Sequence, residues 1–178
     1  MKLFSVIGIV FFTLMLSACG FHLQGQMQLA KPLKRMYLQS SDPYGYLARS
    51  LQSYLKMSKV QLVASPQEAE TILVIMQDQT TEDLLSVSST QQTRQYHLKT
   101  TVIFQITDSA GKVILPAQML QEARVITIQS NQILGTSNEA NLYYQQMRRS
   151  LAYGIMNRIS SQQVTTMLSN FAASQHLP

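Results

Sequence analysis

Between Thr93 and Thr107 apolar and polar residues alternate. Tyr96, Leu98, Val102, Phe104 and Ile106 fall on one side, and Gln95, His97, Lys99, Thr101 and Gln105 on the other, with Ile103 the exception. A period of two predicts a strand with one buried and one wetter face. Asp108-Ser109-Ala110-Gly111 reads as a turn with Gly supplying positive φ, and Met119–Ile128 as a partner strand of mixed burial. Thr71–Gln77 is β-branched and aliphatic, a third strand, and Met36–Leu38 and Val60–Val63 are short ones. Thr80–Thr90 is polar and only weakly strand-like, an edge or a loop.

Elsewhere the period changes. Tyr46, Leu47, Ser50, Leu51, Tyr54 and Leu55 recur at three- and four-residue steps, which predicts a helix ending near Met57. Ser41-Asp42-Pro43 precedes it, with Asp42 the expected N-cap and Pro43 the first helical residue. Gln129–Ser137 reads as a loop. Asn138 and Glu139 suit a helix start, and Tyr143/Tyr144, Met147, Leu151, Ile155 and Ile159 form the buried stripe of a long helix running towards Leu168. Two amphipathic helices and one sheet bury their apolar faces only against each other. The expected fold is therefore α+β: a two-layer sandwich with two helices packed on a mostly antiparallel sheet of about four strands.

The N-terminus follows a different logic. Lys2 precedes an apolar run, Leu3–Leu16, and then Leu16-Ser17-Ala18-Cys19-Gly20. A basic residue, a short apolar core and small residues at a cut make a secretory signal. The run is shorter than the roughly 20 residues of a membrane span. Leu-Ser-Ala-Cys resembles a bacterial lipobox, which implies that residues 1–18 are removed and that Cys19 is acylated. Each buried methylene contributes about 0.8 kcal/mol, so two or more chains anchor stably. Position 20 is Gly rather than Asp, which in the lipoproteins it resembles implies sorting to the outer membrane. The expected organisation is a signal at 1–18, a lipidated tether at 19–33, one domain at 34–171 and a loose tail at 172–178.

Composition narrows the function. Without the signal, 160 residues remain, enough for one domain with a real core, and the net charge is +4. No run of Lys/Arg exceeds two and none interleaves with aromatics, so nucleic acid is not the expected partner. Cys19 is the only cysteine, which excludes a disulfide framework. His22, His97 and His176 show no metal-ligand spacing, and no nucleophile elbow, P-loop or dinucleotide fingerprint occurs. The acids Glu68/Glu70 and Glu82-Asp83 read as solvated loop charges. No enzyme, cofactor or metal is expected.

Cys19-Gly20-Phe21-His22-Leu23 resembles the mature start of the LptE (RlpB) family of lipopolysaccharide-assembly lipoproteins. Ser41-Asp42-Pro43-Tyr44-Gly45 is similar to a segment ahead of that family's first helix, Gln95-Tyr96 to the start of its long strand, and Asn138-Glu139 to the start of its last helix. The order of elements resembles the family's throughout. The resemblance implies an outer-membrane lipoprotein on the periplasmic face. It would bind and plug the β-barrel LptD, supporting barrel assembly and the delivery of lipopolysaccharide to the outer leaflet. The alternative is another outer-membrane lipoprotein, an accessory to a transport or barrel-assembly system.

A contact with lipopolysaccharide is also implied. Its phosphates call for Lys or Arg, and Arg94, Lys99 and Arg124 are the candidates. Gly135-Thr136-Ser137 stands where family members often carry a basic residue.

Overall fold

The computed structural model describes residues 27–90, 93–129 and 138–175. The signal, Cys19, His22, His176 and Gly135-Thr136-Ser137 lie outside the described residues. Five strands and three α-helices occur among the described residues, one strand and one helix more than expected. They run β1 (Arg35–Gln39), α1 (Tyr46–Met57), β2 (Gln61–Leu62), β3 (Thr71–Val87), β4 (Thr93–Asp108), β5 (Val113–Gln129), α2 (Asn138–Ile159) and α3 (Gln162–Gln175). The sheet order is β2-β1-β3-β4-β5. β1 pairs parallel with β2 and β3, and β3-β4-β5 is an antiparallel meander. The two-layer α+β expectation matches this architecture.

β4 alternates as its sequence demands. Leu98, Val102, Phe104 and Ile106 are fully buried under the helices, and Thr100 joins them. β3 is the correction. The segment 80–90, read as an edge or loop, is mostly the second half of a 17-residue strand, about 50 Å long. Register shifts between Ile75 and Gln77 and between Leu84 and Ser86 reset which residues face the helices. The helix-facing set runs Leu73 and Ile75, then Asp78, Thr80, Glu82 and Leu84, then Val87, as their β4 partners show. A shift near Pro116 does the same in β5, which is an outer strand, where proline is tolerated.

α1 begins at Tyr46, not at Pro43. Gly45 is its N-cap without a side-chain bond, and Gly45 N donates to Asp42 O at 3.2 Å. A Cβ at Gly45 would displace the exposed Asp42 carboxylate and come within 3.3 Å of the Asp42 backbone oxygen. The long C-terminal helix also breaks. Ser160 Oγ bonds Asn157 O at 3.1 Å, and Ser161 Oγ accepts from Val164 N at 3.4 Å, which starts α3.

The main core lies where α1, α2 and α3 meet the base of the sheet. It contains Leu51, Leu55, Leu73, Phe104, Ile155, Met156 and Ile159. Leu29 and Leu33, counted with the tether, are buried in it. A smaller cluster, Leu98, Ile126, Ile128 and Met147, holds the start of α2 over the far half of the meander.

Candidate interaction surface

Three long strands carry helices on one side only. The other side is built from Gln77, Gln79, Thr81 and Asp83 of β3, Gln95, His97, Lys99, Thr101 and Ile103 of β4, and Met119, Gln121, Ala123, Val125 and Thr127 of β5, matched residue to residue by the ladders. Amides and hydroxyls bond one another across it. Gln121 Nε2 donates to Thr101 Oγ1 at 3.1 Å, Gln77 Nε2 to Gln79 Oε1 at 3.0 Å, and Ser86 Oγ to Gln95 Oε1 at 3.0 Å. Of the residues on this face only Asp83 and Lys99 carry a full charge. Met119 and Val125 of β5 are 60% and 58% exposed, and Met76, at the β3 register shift, is 55% exposed. The surface is thus nearly neutral, rich in hydrogen-bonding groups and studded with exposed apolar side chains, a composition suited to another protein surface.

The helix side is fastened by polar contacts flanking the small cluster. Arg148 Nε bonds Asp78 Oδ2 at 2.9 Å, Arg124 bonds Glu122 at 2.9 Å and Gln146 at 3.0 Å, and Arg158 bonds Gln118 at 3.0 Å. The Tyr144 hydroxyl donates to the Glu82 carboxylate. Burial, and then that bond and the neighbouring Glu82 charge, push the Tyr144 phenol well above its ordinary value. Thr80 and Thr100 share a hydroxyl pair at 2.9 Å beneath α2.

The three cations named from the sequence do not converge. Arg94 and Lys99 both lie on β4, but an odd separation puts them on opposite faces, about 16 Å apart along the strand. Arg94 is exposed near the end of the meander, paired with Val87 and Ile128 on the helix-facing side. Lys99 is half-buried on the uncovered face between Thr81 and Ala123. Arg124 is engaged by Glu122 and Gln146 and ties α2 to β5. The β3 and β5 residues of the uncovered face were missed in the sequence. From Gln77 to Asp83, β3 is polar on both sides, so no period of two stands out.

Among the described residues no group of His, Cys, Asp or Glu could hold a metal ion, and no helix is long and apolar enough to cross a membrane.

Three long antiparallel strands with helices on one side define a small α+β domain, a fold shared with lipoproteins of solved structure. A minor lipoprotein from Acinetobacter baumannii is 26% identical, with a TM-score of 0.57, over 74% of this chain and 95% of that one. Lipoprotein B from Nitrosomonas europaea shares the fold, with a TM-score of 0.62 at 20% identity over 79% and 90% of the two chains. The family model LptE, described as lipopolysaccharide-assembly, matches residues 33–159, and the chain belongs to that family. The LPS-assembly lipoprotein LptE of Pectobacterium atrosepticum is 27% identical over 88% of this chain and 87% of its own length. That of Yersinia enterocolitica is 29% identical over 82% and 70%.

Proposed function

We propose that this lipoprotein is held in the outer membrane by acyl chains on Cys19, facing the periplasm, and docks into an LptD-like β-barrel as its plug. In that place it supports barrel assembly and the delivery of lipopolysaccharide to the outer leaflet, as a binding partner without turnover. The observation that carries the reading is the uncovered face of β3, β4 and β5. Barrel interiors are polar, and this face offers amides and hydroxyls with only two full charges to desolvate. Its exposed Met119 and Val125 supply apolar area for a lasting contact. Family membership supports the lipopolysaccharide-assembly role.

Lipopolysaccharide phosphates would meet Arg94 on one face or Lys99 on the other, not both in one patch. Arg124 would have to leave Glu122 and Gln146 to take part.

The test is capture of the chain from detergent-solubilised outer membranes. Recovery of a large β-barrel protein in about equal amount is expected. A chain captured without a barrel, or with inner-membrane transport subunits instead, overturns the reading.

A further inference from the structure

β5 ends the sheet, and its outer side pairs with no strand among the described residues. It is 17 residues long, while β2, at the other end of the sheet, has two. A long outer strand presents a row of backbone N–H and C=O groups that another strand can join, and proteins commonly guard such an edge with proline, bulges or charges. Pro116 and the register shift beside it guard the first part of β5. From Ala117 to Gln129 there is neither proline nor glycine, and the β-branched Val125, Ile126, Thr127 and Ile128 run together. The charges of this stretch are Glu122 and Arg124 alone.

Those two charges make the stretch complementary to itself. Ala123 is its midpoint, six residues from Ala117 and six from Gln129. Antiparallel pairing of the stretch with a second copy about Ala123 sets Glu122 of each copy opposite Arg124 of the other. Within one copy the two already bond at 2.9 Å, so each charge keeps its opposite beside it. Moving the centre one residue either way sets Glu122 against Glu122, or Arg124 against Arg124. Centring between two residues would turn one copy over, because side chains alternate between faces. About Ala123 the helices of both copies stay on one side of the joined sheet and both uncovered faces on the other. Val125 of each copy then lies diagonal to Met119 of the other, so side chains 58% and 60% exposed in the single chain meet across the seam. The register that uses the whole unguarded length is also the one whose charges match.

We propose that the outer edge of β5 is an interface between two copies of this chain, joined by antiparallel pairing of residues 117–129 about Ala123 into one continuous sheet. Backbone hydrogen bonds along about 40 Å of strand hold it, and the contact is two-fold and self-complementary, the commonest symmetry among identical chains. The inference does not rest on the plug reading. Where a barrel takes up one copy as its plug the pair must part, so the pair is a form of the chain ahead of that assembly.

The test is disulfide cross-linking of the purified full lipoprotein in detergent. No barrel is present, so a failure here leaves the plug reading standing. Ala123 is exposed, and in the pairing the Cα atoms of its two copies are about 4.5–5.5 Å apart, within disulfide reach. On oxidation Ala123→Cys is expected to run mostly as a dimer on a non-reducing gel, far above the parent chain, which reads any linkage through Cys19. Thr127→Cys alone is roughly 27 Å from its own counterpart and should stay at the parent's level, but mixed with Met119→Cys it should yield the dimer. Glu122→Arg sets Arg against Arg124 and should lower the Ala123→Cys dimer severalfold, and adding Arg124→Glu should restore it. Ala123→Cys linked no more than the parent, or Thr127→Cys alone linked as readily as Ala123→Cys, overturns the proposal. So does a dimer that Glu122→Arg leaves undiminished, or that the double charge exchange does not restore. In intact cells, Ala123→Cys linked to a different protein and never to itself would give the edge to a foreign strand and overturn the pairing of copies.

Discussion

Met147→Ala tests what holds the long helix to the far half of the meander. Met147 is fully buried among Leu98, Ile126 and Ile128, and its sulfur accepts from Thr100 Oγ1 at 3.9 Å. Truncating a buried Met to Ala costs about 2–5 kcal/mol, the transfer loss plus the cavity left behind. Among the described residues the cluster has four buried members, edged by the partly buried Tyr96, Tyr143 and Tyr144, and it borders the Thr80–Thr100 hydroxyl pair, so it has little apolar neighbourhood with which to close the hole. A cost of about 3 kcal/mol is expected, a fall in Tm of roughly 6–12 °C for a domain of this length. Arg148→Ala breaks the adjacent ion pair with Asp78, whose side chains are 18% and 23% exposed. It should cost only about 1 kcal/mol, because such pairs offset their attraction with desolvation and side-chain entropy. Chemical denaturation measures both variants. Native-state hydrogen exchange should place the Met147→Ala loss of protection in Arg94–Val102 of β4 and its partners, leaving the base protected. If Arg148→Ala proves the more costly, or Met147→Ala costs under about 1 kcal/mol, packing is not what holds α2 down.

Two further outcomes follow from local geometry. Gly111→Ala meets no atom within 4 Å, but the backbone φ is +87°, so a loss of about 1–2 kcal/mol in denaturation is expected from conformation alone; an unchanged midpoint would contradict the positive-φ turn. The Tyr144 phenol is held above its ordinary 10.0 in the folded protein, so the folded state binds more protons than the unfolded one above about pH 10. The stability this gives is complete below pH 10 and declines as pH rises further. Tyr144→Phe should flatten that part of the Tm-against-pH curve, and curves of equal slope would show that burial and Glu82 do not raise the phenol.

The parts of this fold that could be read from the chain are those where burial contrast is sharp. Along β4 each residue facing the helices from Tyr96 to Ile106 is apolar except Thr100, and on α2 the stripe from Met147 to Ile159 sits at four-residue steps, so period alone locates both. β3 hides its second half for a physical reason. Two bulges change its parity, and past Ile75 its helix-facing residues include Asp78, Thr80 and Glu82, which reach α2 through Arg148, Tyr144 and the Thr100 hydroxyl rather than by burying carbon. The helix break was concealed because Val164 and Leu168 continue to bury apolar side chains beyond Ser160-Ser161, although a serine three residues ahead of Val164 is an N-cap signal. The candidate cations were visible one by one, but their sides were not. The odd spacing of Arg94 and Lys99 on a continuous strand puts them on opposite faces.

The central claim is that the uncovered sheet face is the partner-facing surface, and photocrosslinking from it in living cells tests this most directly. Photoreactive residues placed singly at Gln79, Thr101 and Gln121, which are on that face, should each yield a covalent adduct with a large outer-membrane barrel protein. Adducts absent from all three positions, in cells where the chain is folded and present at its normal level, would contradict the account.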